Sequence, residues 1–439
     1  MRRDIAKKLL SWKQSKQRKP LVLCGARQVG KTYSLMAFGE EHYDEIAYIN
    51  FFDEDAAAVL RSGYNAKQIL SDIRIYTGTT LKPGKTLIVL DEIQEQPQTL
   101  ALMKDFCENT PEHHIVSAGS YLGISHHAGV SFPVGKVNLL DMYPLSFLEF
   151  LSASGDQALA EEVLVPLDFK RMAQFSKKLE RKLRQYFYIG GMPEVVAEFI
   201  NSDDDFVHAR NLQKDLLQVY DKDFSKYADN RSAERMRLAF DSISAHLGRE
   251  NHKFVFGHIA KGARARDYET AVQSIVDSGL AARVYRLAKV AKPLKFYRDL
   301  SAFKLYLHDV GLLGCALETD LKDVILSNNA FEEYRGAMTE QYVCQQLIAG
   351  GNTPYYWSAQ KGSAEVDFVV MKGKEPAPLE VKAEENLRSK SLRMLCEKTG
   401  LHGYRASMSD YREQEWMTNI PLWAVGTYFA PEATKLFCS

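Results

Sequence analysis

The stretch Gly25-Ala26-Arg27-Gln28-Val29-Gly30-Lys31-Thr32 has the pattern G-x-x-x-x-G-K-T, whose residue types suit the binding of phosphate. Gly25 and Gly30 let the backbone curl until successive N–H groups point at phosphate oxygens, so all eight residues are candidates for nucleotide contact. Lys31 is placed to reach the β- and γ-phosphates as a catalytic cation, and the Thr32 hydroxyl to sit on Mg²⁺. Further along, Leu87-Ile88-Val89-Leu90 runs into Asp91-Glu92. Asp91 is a candidate second ligand of Mg²⁺, and Glu92 a candidate to orient or deprotonate the attacking water. ATP and Mg²⁺ are therefore the expected cofactors. The plainer readings are a glycine turn and two solvated carboxylates; finding both motifs in this order in one chain weighs against them.

A second set lies in the last hundred residues. Glu340 falls in the helical-looking stretch Gly336 to Leu347, Asp367 near the start of Glu365 to Val370, and Glu380 and Lys382 in Pro378 to Ala383. Glu380 and Lys382 are two apart, so on a strand they share a face, and Asp367 would reach the same edge from the neighbouring strand. Three carboxylates and a lysine are what metal-dependent cleavage of a phosphodiester needs. Asp367 and Glu380 would hold Mg²⁺ through hard oxygen ligands, with Glu340 in support, while Lys382 orients the water or stabilises developing charge. The plainer reading is a platform for binding, or an ion-paired core.

Positioning these groups requires particular elements. Leu21 to Cys24 is a short apolar run before the glycine loop, and Tyr33 to Phe38 looks helical: a strand, a loop and a helix whose dipole favours anions. The continuous apolar run before Asp91 suggests a strand buried on both faces of a parallel sheet, delivering its acids to the crevice at the strand ends. His114 to Ser120 reads as a further buried strand ending in small hydroxyl residues. From Asp204 the pattern turns helical. Phe254 to Leu287 reads as helix–turn–helix, followed by hairpin-like strands, which is a winged-helix outline. Arg264, Arg266, Arg283, Lys289, Lys292 and Lys295 could contact DNA phosphates there. The competing reading is a domain that only packs, with a solvated basic face.

Composition narrows the class. Over 439 residues, 46% hydrophobic and 26% charged content with a formal net charge of +0 describe a multidomain globular chain with no global field for a polyanion. No window approaches a membrane-spanning run, so no membrane partner is expected. Six scattered cysteines without a C-x-x-C pair suggest a reduced, cytoplasmic protein without a structural zinc site. The basic stretch Met1 to Pro20 reads as a helix packed behind the first strand, or as a transit or membrane-surface segment.

Taken together, GARQVGKT, LIVLDEIQ, SAGSYL, Tyr143 to Phe150 (YPLSFLEF) and Tyr188 to Pro193 (YIGGMP) resemble a large family of prokaryotic AAA-type ATPases with a C-terminal domain of formerly unknown function. The resemblance implies ATP binding in the first half, LIVLDE as the Walker B strand, and Ser117 or Ser120 as the polar residue that senses the γ-phosphate. It also implies a small helical domain behind the nucleotide that carries Gly191 to Pro193. Relatives commonly have Gly-Arg where this chain has Gly135-Lys136, and lysine lacks the bidentate fork, so no arginine-finger role falls to Lys136. The acids and lysine of the C-terminal region are similar to the PD-(D/E)xK nuclease superfamily, as D…ExK. The expected fold is thus α/β: a P-loop parallel sheet with helices on both faces, then a helical and winged-helix segment, then a restriction-endonuclease-like α/β domain. The expected divisions are 1–150 for the AAA-type core, 151–203 for the small helical domain, 204–325 for the winged-helix region and 326–439 for the nuclease-like domain. The expected partners are ATP, DNA and a second copy of the chain. The expected function is Mg²⁺-dependent ATP hydrolysis coupled to a nuclease-like module, the alternative being a nucleotide-gated switch whose inactive nuclease-like domain binds protein.

Overall fold

Five strands, β1 (Leu21–Gly25), β2 (Glu45–Asn50), β3 (Thr86–Asp91), β4 (His114–Ser120) and β5 (Asn138–Met142), build a wholly parallel sheet in the order β2-β3-β4-β1-β5. In the computed structural model, which describes residues 1, 3–59, 65–96, 98–120, 135–164, 167–248, 253–319, 332–360, 363–383 and 389–431, this sheet belongs to one of two compact units. That unit is Arg2–Tyr143 with Asp277–Gly279; the other is Pro144–Val276 and Leu280–Ser439 with Met1. Strands β1 and β3 are buried along their whole length, as apolar runs without polar alternation require when helices cover both faces. Val22, Ile49, Ile88 and Leu90 pack with Ile73 and Phe106 of the helices Ala66–Thr77 and Gln98–Asn109. The basic N-terminal stretch forms the helix Ile5–Gln14, which buries Ile5, Leu9 and Trp12 along one stripe.

The second unit is organised around an eight-stranded mixed sheet. Its strands are β6 (Ala281–Leu287), β7 (Arg298–Leu307), β8 (Tyr355–Ser358), β9 (Glu365–Lys372), β10 (Glu375–Val381), β11 (Gly403–Ser407), β12 (Arg412–Glu413) and β13 (Met417–Pro421). They run in the order β12-β13-β11-β10-β9-β8-β6-β7. The helix Asn230–Leu247, a short turn at Phe256–His258, the helix Ala265–Asp277 and the antiparallel hairpin β6–β7 follow one another; within Phe254 to Leu287, where two helices are expected, the structure has the short turn, one helix and a strand. This hairpin is not a separate module, because β6 pairs in parallel with β8 and so joins the sheet of the C-terminal segment. The expected division at 325/326 lies outside the described residues, yet strands on both sides of it share one sheet. Nor does a break fall at 150, which lies inside the helix Phe147–Ala153.

A buried polar knot explains two stretches that stand out in the sequence. In YPLSFLEF, Ser146 and Glu149 form a reciprocal capping box that starts the helix Phe147–Ala153. In YIGGMP, the Gly191 N–H donates to Asp309 Oδ2 at 2.6 Å, and Leu145 N–H donates to the Gly191 carbonyl at 2.6 Å. Tyr186 donates its hydroxyl to the Leu145 carbonyl and receives Gln345 Nε2 at 3.0 Å and Gln346 Nε2 at 3.3 Å. The same two glutamines, from the helix Glu332–Ala349, accept from Val310 N–H and Phe147 N–H, each at 2.9 Å. Burial pushes the Asp309 carboxyl up to about 6, while the N–H donors of Gly191, Leu312 and Gln345 pull it back.

There is no room for a side chain at Gly191: a Cβ would lie 2.2 Å from the Leu145 carbonyl oxygen, which is itself held by Tyr186. Gly191→Ala is therefore expected to cost several kcal/mol, on the order of the largest single-site effects. Gly336→Ala, where nothing among the described residues lies within 4 Å of the added Cβ in the helix Glu332–Ala349, is expected to be neutral or to stabilise by about 0.5–1 kcal/mol. Urea unfolding of both variants checks the pair, and equal midpoints would overturn the assignment.

Candidate functional site

The glycine loop leaves β1 and enters the helix Lys31–His42 through Gln28 at φ 64° and Gly30 at φ 89°, left-handed positions that wind the loop backbone into a cradle. Ala26 and Val29 are buried beneath it, while Arg27 is half-buried and Gln28 exposed. Gly25 is needed for close approach, since a Cβ there would lie 2.5 Å from the Met142 carbonyl oxygen. Lys31 folds back on the loop, its Nζ donating to the carbonyls of Ala26 at 2.8 Å and Gly25 at 3.1 Å. Burial holds its pKa down to about 8, against the upward pull of Glu92 and Asp91.

The two candidate Mg²⁺ residues meet. Thr32 Oγ1 donates to Asp91 Oδ2 at 2.8 Å across 59 residues of sequence. A hydroxyl and a buried carboxylate side by side at the head of a phosphate cradle are the hard oxygen donors that Mg²⁺ takes. Tyr48 on β2 donates to the same oxygen at 2.9 Å, and Glu92 N–H to Asp91 Oδ1 at 3.0 Å, so the carboxylate is fixed from several sides. Glu92 itself sits at φ 55°, a strained conformation for a residue other than glycine, and its carboxylate receives Gln94 Nε2.

The two serines separate. Ser117 is 0% exposed and spends its hydroxyl on the Leu21 carbonyl at 3.1 Å, in register with Val22 in mid-strand. That weighs against Ser117 as the phosphate sensor, because its hydroxyl is bonded within the sheet. Ser120 is in register with Gly25, where the cradle begins. Two residues that sequence reasoning missed also serve the loop. Arg3 is buried and donates to the carbonyls of Val29 at 3.0 Å and Tyr143 at 2.7 Å, bracing the loop from below. Only its place in a basic stretch marked it, and nothing in the sequence set it apart from its neighbours. Tyr48, one of several apolar residues in a strand, carries no sequence signal for its bond to Asp91.

In the second unit, Glu380 and Lys382 do share an edge, with Lys382 Nζ 2.9 Å from Glu380 Oε1. Asp367 joins them, its Oδ2 accepting from Val381 N–H at 2.7 Å. Burial first, and then the charge of Glu340, hold the Asp367 carboxyl well above the usual carboxylate range. Glu340 departs from expectation. Its Oε1 takes Lys304 Nζ at 2.9 Å and the Tyr306 hydroxyl, and it is buried. Among the described residues no group of three or more His, Cys, Asp or Glu side chains is arranged to hold a metal ion. The supporting metal role expected for Glu340 is thus replaced by an ion pair, because a lysine reaches its carboxylate from β7. On the hairpin, Arg283 is likewise withdrawn from any phosphate: its side chain is buried, bonded to Glu269 at 2.8 Å and stacked 4.5 Å over Phe303. Lys292 pairs with Glu375, while Arg264, Arg266, Lys289 and Lys295 are exposed.

Among the described residues no helix is long and apolar enough to cross a membrane. Residues 17–151 match the AAA domain, residues 180–323 a domain of unknown function (DUF8612), and residues 335–425 a domain of unknown function (DUF4143). The N-terminal region is thus a P-loop ATPase-type α/β domain, by its family match and its parallel sheet. No curated protein matches the chain. Among solved structures it is similar to the Walker-type ATPase of Pyrococcus abyssi (12% identity, 72% of this chain and 95% of that one, TM-score 0.44). It is also similar to the Orc1 protein of Aeropyrum pernix in complex with DNA (14%, 72% and 90%, TM-score 0.27). A third is Cdc6p from Pyrobaculum aerophilum (12%, 72% and 91%, TM-score 0.26).

Removing the Ser117 hydroxyl deletes one buried hydrogen bond and nothing at the cradle. Ser117→Ala is expected to cost about 1 kcal/mol of stability, and to leave the affinity for a fluorescent ATP analogue unchanged. A large loss of affinity in a folded Ser117→Ala protein would restore the sensor role.

Proposed function

We propose that this chain binds Mg²⁺-ATP at Gly25 to Thr32 and hydrolyses it, and that the hydrolysis is coupled to a DNA-directed C-terminal unit made of a winged-helix region and a PD-(D/E)xK-like domain. The observation that carries the ATPase reading is the 2.8 Å contact between Thr32 and Asp91, which supports a shared cation site beside the cradle. Mg²⁺ bound there supplies a Lewis acid to the phosphates. Thr32 and Asp91 are the residues to hold it. Lys31 is to exchange its loop carbonyls for phosphate oxygens, and the loop N–H groups to orient the chain of phosphates. Glu92, at the strand end beyond Asp91, is the residue to orient the attacking water, and Ser120 the one to meet the γ-phosphate. Purified protein is expected to turn over ATP slowly. Lys31→Ala and Glu92→Gln are each expected to lower the rate by roughly a hundredfold or more. Undiminished turnover in both variants sinks the reading.

For the second unit, the convergence of Asp367, Glu380 and Lys382 supports divalent-cation-dependent cleavage of phosphodiesters, and the exposed Arg264, Arg266, Lys289 and Lys295 support DNA as the substrate. Lys382 is placed to steady developing negative charge or the incoming water. Incubation with plasmid and Mn²⁺ is expected to nick DNA, and Asp367→Ala and Lys382→Ala to abolish nicking; cleavage that survives both excludes this site. The second reading, a nucleotide-gated switch whose nuclease-like domain only binds protein, draws its support from the ion pairing of Glu340. It predicts ATP affinity without turnover and no affinity for DNA at low salt.

A further inference from the structure

Lys304 lies on β7 and is 1% exposed at its side chain. An ammonium taken out of water costs several kcal/mol unless carboxylates meet it. Two do: Lys304 Nζ lies 2.9 Å from Glu340 Oε1 and 2.8 Å from Glu365 Oε1. These partners come from the helix Glu332–Ala349 and from β9, so the lysine pins together elements distant in sequence. The Tyr306 hydroxyl, also on β7, donates to the same Glu340 oxygen, which leaves that oxygen saturated by protein.

The other end of the cluster is different. Glu380 is 6% exposed, and its Oε1 pairs with Lys382 at 2.9 Å, yet among the described residues its Oε2 has no hydrogen-bond partner. A buried carboxylate oxygen left unmet is costly, and a cation is the partner that would satisfy it. Asp367 is its charged neighbour, with one oxygen already on Val381 N–H. Arg405 lies opposite Glu380 in the β10–β11 register and directs its Nε to Asn419 at 2.9 Å. Of the acids Glu340, Glu365, Asp367 and Glu380, the first two pair with Lys304, and the unmet oxygen belongs to Glu380, which pairs with Lys382 and lies opposite Arg405.

We propose that Lys304 stands where a second divalent cation stands in a two-cation carboxylate site. It neutralises Glu340 and Glu365 permanently and leaves Asp367 and Glu380 to hold one divalent cation. The inference rests on the cleavage reading of this cluster and adds its cation count. It also makes Glu340 a positioning residue, acting through Lys304, instead of a ligand. A lysine in that place cannot leave with product or be removed by a chelator, so the site depends on a single exchangeable ion.

Mn²⁺ titration of the full chain without nucleotide, read by the EPR signal of the free ion, tests this. The Asp367→Asn/Glu380→Gln double variant is expected to lose one bound Mn²⁺ per chain relative to the parent, the ions at Thr32 and Asp91 cancelling in the difference. Glu340→Gln is expected to leave the Mn²⁺ Kd of that site within about twofold. Lys304→Gln, which exposes Glu340 and Glu365 to a second ion, is expected to raise the count to two. If that variant does not fold, the parent count and the Glu340→Gln affinity decide alone. Loss of two ions in the double variant, or a roughly tenfold weaker Kd in Glu340→Gln, overturns the inference while leaving metal-dependent cleavage standing. No ion lost in the double variant overturns both.

Discussion

Asp309 is the buried charge that the second unit has to accommodate. Its carboxylate is 0% exposed and accepts from Gly191 N–H at 2.6 Å, Leu312 N–H at 3.0 Å and Gln345 Nε2 at 3.3 Å. A group so placed keeps its charge only if donors surround it, and those donors come from three stretches far apart in sequence. Each donor is positioned by its own local rule. Gly191 is free of a Cβ because the Leu145 carbonyl occupies that space. Leu312 is in the first turn of the helix Val310–Ala316, which Asp309 itself caps. Gln345 is one of three glutamines, with Gln341 and Gln346, that the helix Glu332–Ala349 turns toward backbone groups. The YPLSF and GGMP stretches are thereby held to the same helix that carries Glu340, so one network fixes both the scaffold and one member of the acidic cluster.

What could be read from the sequence follows from the range of the interactions involved. The glycine-loop cradle is local: a strand, a glycine pair and a helix N-terminus within one short stretch, so its outline could be read directly. The apolar run ending in Asp91 was equally legible, because burial on both faces leaves no alternation to confuse. The different surroundings of Ser117 and Ser120 were not legible, since both are small hydroxyl residues in one strand. They depended on register, which places Ser117 opposite Val22 and Ser120 opposite Gly25. Arg3 and Tyr48 were hidden for the same reason, their partners Val29 and Asp91 lying across the fold.

In the second unit the limit lies in who pairs with whom. The spacing of Glu380 and Lys382 gave their shared face, because a strand alternates strictly. Glu340 looked like a third ligand because helix, strand and strand followed in order. The order says nothing of a lysine arriving from β7, at a separation of 36 residues from Glu340. Arg283 failed as a surface cation on similar grounds: in a hairpin strand its side chain falls on the inner face against Phe303 and finds Glu269. Charge alone could not separate it from Lys295, which is exposed.

The β6–β7 hairpin shows how one element can serve two roles without mixing them. Its register breaks between Tyr285 and Arg286, a bulge that divides it. Below the break, β7 from Phe303 to Leu307 is buried, and it carries Lys304 and Tyr306 to the acidic cluster. Above it, Arg286 pairs with Asp299, and the connection beyond exposes Phe296 at 77% together with Lys289, Lys292 and Lys295. Substitutions in the outer part therefore change the charge and shape of an exposed surface, while those in the inner part change the counter-charge of Glu340 and Glu365. Since β6 is bonded to β8, the inner part is as much a strand of the C-terminal sheet as of the hairpin. The sequence gap between β7 and β9 conceals a single electrostatic unit, and the boundary that matters in this region is the bulge.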